Sequence, residues 1–157
     1  MSNITLRPIK SKDMKLIIAL DKKVYPTNSP VTEKVLRQWY TRNPEFGMIY
    51  ETDGKIVGVC IAIPLTAKAW NEVVDGKLTE SKLTDNCIFD NSKDDKIGLH
   101  VYHVEKVDAS LNNFHLRFLK DLSSIIQKLK EINKHLKLVG FSALCTTKQG
   151  INLFANT

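Results

Sequence analysis

No stretch of this 157-residue chain approaches the roughly 18–20 consecutive apolar residues of a membrane-spanning helix. Its opening, Met1-Ser2-Asn3-Ile4-Thr5-Leu6-Arg7-Pro8, lacks the apolar core of a secretion signal. Cysteine is scarce: Cys60, Cys87 and Cys145 are odd in number and show no Cys-x-x-Cys spacing. Neither a disulfide framework nor a zinc site is indicated, and a reducing cytoplasm is the expected setting. Internal repeats and low-complexity linkers are absent. At 43% hydrophobic and 25% charged residues, with mean hydropathy −0.19, the composition excludes a disordered chain and fits one globular domain over residues 1–157.

Charge of one sign is not lacking. Lys+Arg 23 against Asp+Glu 17 gives a net charge of +6, which suits an anionic partner such as a phosphate-bearing cofactor. The basic stretch Lys128, Lys130, Lys134, His135 and Lys137 is interrupted by Glu131 and carries no interleaved aromatics. It reads as a solvated helix end favoured by the helix dipole, and nucleic acid and membrane are not expected partners.

Ile4-Thr5-Leu6-Arg7-Pro8-Ile9 alternates as a half-buried strand does. Ser11-Lys12-Asp13 then offers a cap to Met14, Leu16, Ile17, Leu20 and Val24, and Thr32 caps Val35, Leu36, Trp39 and Tyr40; both spacings are helical. Asp53-Gly54 joins Met48–Glu51 to Lys55–Ile63 as a hairpin. The second strand is apolar on both faces and therefore central. Residues 64–95 form a polar excursion with a short helix at Ala67–Val74, long enough to cover a site. Its Trp70 needs a surface to pack on and is a candidate lid.

Ile97–Val107 is a long strand. Plain alternation puts Ile97, Leu99, Val101, His103, Glu105 and Val107 on one face and His100, Tyr102, Val104 and Lys106 on the other. His100 and His103 then diverge, which argues against a metal site. The longest helix carries Phe114, Phe118, Leu122, Ile125, Ile126, Leu129 and Ile132 as one stripe. A strand at Leu138–Cys145 leads into a last helix with Ile151, Leu153 and Phe154. The strand–helix–strand crossover makes the last two strands parallel neighbours, with a cleft at their carboxyl ends. Cys145 has no histidine or acid near it in sequence to activate it as a nucleophile.

This element order, the Ile-Thr-Leu-Arg-Pro-Ile opening, the Asp53-Gly54 hairpin and the Gly150-Ile151-Asn152-Leu153-Phe154 ending resemble the GNAT superfamily of acyl-CoA-dependent N-acetyltransferases. The resemblance implies an α+β fold: a mixed, mainly antiparallel sheet with helices on both faces and a V-shaped cleft between strands 4 and 5. The family's final hairpin has no counterpart before Thr157, so the expected domain lacks its last two strands. Acetyl-CoA is implied as co-substrate, with a primary amine as acceptor and no metal.

By the same resemblance the strand end at Lys106 and Val107 meets the thioester. The following loop, with Asn112, Asn113, His115 and Arg117, meets the pyrophosphate through N–H groups and the helix dipole. Thr147 stands where the family has an asparagine. His115 and Arg117 occupy its two small positions, and Phe154 replaces the tyrosine that protonates the leaving thiolate. Glu105 is the implied general base, with His103 as the alternative and Tyr102 as a substitute acid; Tyr102, Trp39 and Tyr40 are candidates for the acceptor pocket. The competing expectation is a non-catalytic GNAT-like interaction module, a homodimer through the sheet edge that the missing strands leave exposed.

Overall fold

The computed structural model describes residues 3–25, 30–145 and 148–155. Strand β1 (Thr5–Pro8) is followed by α1 (Met14–Val24) and α2 (Glu33–Tyr40). Strands β2 (Gly47–Thr52) and β3 (Lys55–Thr66) form the hairpin, and α3 (Ala67–Val74) opens the excursion. Strand β4 (Lys96–Lys106), α4 (Phe114–Ile132), β5 (Lys137–Ala143) and α5 (Lys148–Ala155) complete the chain. The five strands lie in sequence order in one sheet, antiparallel from β1 to β4 and parallel between β4 and β5. No helix among the described residues is long and apolar enough to cross a membrane.

Local chemistry accounts for the boundaries. The Thr32 hydroxyl accepts the Val35 N–H at the start of α2, and Asp53 and Gly54 take the positive φ values, 48° and 75°, that a tight hairpin turn needs. Asp13, just before α1, takes the Lys10 N–H at 2.7 Å and shares Arg7 with Glu51. That ion network ties edge strand β1 to β2 and to the start of α1.

Helices cover both faces. On one, Trp39 of α2 meets Tyr102 edge to face at 5.1 Å, and Trp70 of α3 lies against Gly98 and Gly140. On the other, Leu111 and Phe114 stand over Gly58, and the Tyr50 hydroxyl donates to Asp121 of α4 at 2.8 Å. Between the layers Leu36, Trp39, Phe46, Ile61, Phe118 and Leu122 are fully buried, each contributing about 1.5–3 kcal/mol.

The structure corrects three expectations. Strand β3 does not end before Pro64; it continues to Thr66. The Pro64 carbonyl accepts the Phe89 N–H at 3.0 Å, and the Phe89 carbonyl, which a proline cannot serve, takes the Asn43 side-chain amide at 2.7 Å instead. Trp70 is not a lid: it fills the space over two glycines, and its Nε1–H donates to the Leu99 carbonyl at 3.3 Å. The third correction concerns the faces of β4. Ile61 pairs with His103 while Ala62 pairs with Val101. Tyr102 is therefore an extra residue, a β-bulge, and alternation breaks there.

Candidate functional site

The bulge brings Tyr102 and His103 to the same face, where both meet Asp21 near the end of α1. The Tyr102 hydroxyl donates to Asp21 Oδ2 at 2.6 Å. His103 Nδ1 lies 3.7 Å from Asp21 Oδ1, an ion-pair distance, and its Nε2–H donates to Glu105 Oε2 at 3.0 Å. The three groups make a carboxylate–imidazole–carboxylate chain. Its inner members are almost fully buried, with side-chain exposures of 5% for Asp21 and 1% for His103, whereas Glu105 is 23% exposed. The Tyr25 ring packs on the imidazole at 5.5 Å.

Burial alone would lower the His103 pKa, but the two carboxylates outweigh it and raise the pKa above its ordinary value. The ring is thus held toward its imidazolium form. Burial and the bond to Asp21 push the Tyr102 hydroxyl well up, so Tyr102 remains a phenol with its proton directed at Asp21. A cavity of about 370 Å³ opens beside this cluster, between Asp21, Tyr25, Tyr102, Leu144 and the excursion residues Glu80 and Lys82. Trp39 and Tyr40 do not reach it. Both are core residues, and the Tyr40 hydroxyl donates to the Ala62 carbonyl at 2.7 Å.

Beyond the bulge β4 has lost its parallel neighbour. The last β4–β5 pair is Val101 with Ala143, yet β4 continues to Lys106. Val107 donates to the Val57 carbonyl at 2.9 Å, so Val57 and Val107 form a bonded pair. By the alternation of antiparallel pairs, the backbone groups of Val104 and Lys106 point to the edge that β5 has left.

The chain then turns into α4. Asp108 donates its N–H to the Val57 carbonyl, and its carboxylate takes the Ser110 N–H at 2.8 Å. Asn113 adopts the left-handed conformation (φ 51°, ψ 37°) and makes no side-chain cap. Among the described residues, the first N–H groups of α4, from Phe114 to Leu116, therefore have no helical or capping partner. A hollow of about 410 Å³ lies alongside, lined by Asn112, Asn113, Leu116, Arg117, Lys120 and Asp121.

No protein-family model and no curated protein matches the sequence. Solved structures do match the fold. A predicted acetyltransferase from Clostridium acetobutylicum, solved with acetyl-CoA, superposes over 98% of this chain and 88% of its own, with a TM-score of 0.54 at 12% identity. NAA60 from Arabidopsis thaliana, in complex with acetyl-CoA, covers 98% and 84%, with a TM-score of 0.53 at 14% identity. The loading GNATL domain of CurA from Lyngbya majuscula covers 88% and 64%, with a TM-score of 0.53 at 17% identity. The chain has the GNAT fold.

Within the GNAT fold, the residues singled out from sequence fall into two groups. Glu105, His103 and Tyr102 come together, but through a contact network that alternation did not foresee. Glu105 pairs with His103. His100 and His103 share a face, so the divergence argument against a metal fails; among the described residues no cluster could hold a metal ion, and His100 is bonded instead to Glu80 and Ser142. Lys106, Asn112, Asn113, His115 and Arg117 gather at the strand end and the start of α4. Two residues apart on a helix, His115 and Arg117 lie on opposite flanks, with Arg117 on the Asp121 side and lining the hollow. The N–H of Val107 is engaged by Val57 and is not free. Thr147 lies outside the described residues, as does the side chain of Phe154.

Asp21 was missed. Its signal is present, however: Met14, Ile17 and Asp21 are the buried positions of α1, and a carboxylate on the buried stripe of an amphipathic helix needs a partner inside.

Proposed function

We propose that this protein is an N-acyltransferase that moves an acetyl group from acetyl-CoA to a primary amine by direct attack on the thioester. The observation that carries this reading is the opened edge of β4. Past the Tyr102 bulge, Val104 and Lys106 turn backbone groups to the edge where the β4–β5 pairing has ended, with no strand partner among the described residues. Beside them lies the start of α4, where Asn113 makes no side-chain cap. An N–H on that edge suits the developing oxyanion of a thioester carbonyl, and the start of α4 suits a pyrophosphate. The acetyl-CoA complexes of the Clostridium acetobutylicum and NAA60 structures support the same choice of co-substrate.

Acetyl transfer from a thioester to an ammonium releases one proton overall. On the acceptor side, Asp21 lines the cavity and gives an ammonium its counter-charge. Asp21 and His103 stand 3.7 Å apart without a direct hydrogen bond. A water between them would complete the path of that proton through His103 to the part-exposed Glu105. Phe154 has no proton to donate and Tyr102 directs its own to Asp21, so the departing thiolate is protonated by water. The test is turnover of acetyl-CoA with a panel of amines, followed as free thiol. Glu105→Gln should lower kcat by about tenfold or more, while acetyl-CoA affinity stays within about threefold, because proton removal belongs to the transition state. An unchanged kcat would remove Glu105 from the chemistry.

A second reading, a GNAT-like module that binds a partner without catalysis, has its own support. The Asp108 carboxylate occupies an N–H of the loop that would meet phosphate. Strand β5 forms the sheet edge, with Val139 and Phe141 exposed. A folded wild-type protein that binds no acyl-CoA and self-associates would favour it.

A further inference from the structure

His100 has a different set of partners from His103. Its Nε2–H donates to Glu80 Oε1 at 2.8 Å, and its Nδ1 lies 2.8 Å from the Ser142 hydroxyl. With Nε2 carrying the proton toward the carboxylate, the Nδ1 of the neutral ring is an acceptor, so the Ser142 O–H donates to it. The order is hydroxyl, imidazole, carboxylate. Three separate segments supply it: β5 for Ser142, β4 for His100 and the excursion for Glu80. His100 and Ser142 are opposite one another in the last parallel rungs before the strands part.

The surroundings are those of a reaction site. The His100 ring is 4% exposed, which shields its bonds from water, while Ser142 is only half buried. The hydrogen bond to His100 is the main cause that holds the Glu80 carboxyl below its ordinary range, so the orienting group stays ionised. All three residues line a cavity of about 420 Å³ whose other walls include Val73, Val74, Leu78 and Leu144. Such walls accept a short aliphatic acyl chain. Strand β5 is an edge strand, and among the described residues its outward N–H groups have no strand partner.

We propose that Ser142, His100 and Glu80 form a nucleophilic triad that takes up and hydrolyses short-chain acyl esters, an activity separate from acetyl transfer to amines. Ser142 Oγ attacks the acyl carbonyl and its proton passes to His100 Nδ1. The bond to the leaving alcohol breaks and the alcohol takes that proton, leaving an acyl-serine. Water then attacks the acyl-serine, gives one proton to His100 and, through it, restores the Ser142 hydroxyl. The sum is ester plus water to acid plus alcohol. Glu80 is a positioning residue: it fixes the tautomer that leaves Nδ1 free to accept.

The experiment needs no CoA, so it stands or fails apart from the acyltransferase reading. The protein is treated with diisopropyl fluorophosphate and read by intact mass and peptide mapping, alongside release of p-nitrophenol from p-nitrophenyl butyrate. The expected result is one adduct per chain on Ser142. Ser142→Ala should abolish the adduct and keep the melting curve, and His100→Gln should slow both labelling and hydrolysis by about 10²–10⁴-fold. Glu80→Gln should slow both by about tenfold or more, whereas Glu80→Asp restores part of the rate; a purely structural bond would not link labelling rate to this conservative rescue. No adduct on a folded wild-type protein, an adduct elsewhere, or hydrolysis undiminished in Ser142→Ala would overturn the proposal.

Discussion

Replacing Gly98 by alanine tests the packing of α3 on strand β4. The new Cβ would fall 2.2 Å from Trp70 Cγ, 2.4 Å from its Cβ and 2.6 Å from its Cδ1. Carbon atoms rest at about 3.5–4.0 Å, so more than an ångström of movement is needed. The clash is with the base of the indole, which a change of rotamer does not remove; α3 itself must back away. Overpacking of this kind costs about 1–3 kcal/mol. Weakening the Trp70–Leu99 hydrogen bond adds about 0.5–1.5 kcal/mol. Against that stands about 0.4–1 kcal/mol from the stiffer unfolded chain, which leaves a net loss of about 0.5–4 kcal/mol in urea unfolding. Gly140→Ala meets the rim of the same indole, 2.7 Å from Cη2. The ring can pivot there, so this loss should be the smaller one. In a Trp70→Gly background, which removes the Cβ as well as the ring, Gly98→Ala should cost almost nothing. An undiminished loss in that background, or a neutral Gly98→Ala in the wild type, would refute the reasoning.

Other outcomes follow from the site. Arg117→Ala should weaken acetyl-CoA binding by roughly 10- to 150-fold if its guanidinium meets a phosphate at the hollow beside α4, a loss of about 1.5–3 kcal/mol; calorimetry on the variant decides it. His115→Gly should leave affinity unchanged or improve it, because it removes a side chain from the first turn and no backbone donor. The raised pKa of His103 gives stability that is complete below the ordinary value of 6.5 and is lost as pH climbs through the folded value. Thermal melts should therefore fall from about pH 6.5 upward in the wild type relative to His103→Gln, and parallel curves would contradict the ion chain.

Periodicity revealed most of the fold. The stripe from Phe114 to Leu129 and the both-faced apolar run at Val57–Ile63 each dictate one burial pattern, and Asp53-Gly54 dictates the turn between β2 and β3. The site was only partly legible. A bulge is set by how β3 and β4 meet, not by the β4 sequence itself, so alternation placed Tyr102 and His103 on opposite faces when they share one. The contacts from Asp21 to Tyr102 and from Glu80 to His100 span 81 and 20 residues, and nothing local announces them. Pro64 misled for a related reason: a proline within a strand is excluded only where its N–H is needed.

The opened edge of β4 is the centre of the account, and acetyl-CoA tests it directly. Titration of the wild-type protein by calorimetry should give saturable heat, with a matching rise in melting temperature for both acetyl-CoA and CoA. Substituting Val104 would leave the backbone donors in place, so Val104→Ala should still bind. Absence of heat and of any thermal shift at millimolar acetyl-CoA and CoA would contradict the claim that this edge and the start of α4 form an acyl-CoA site.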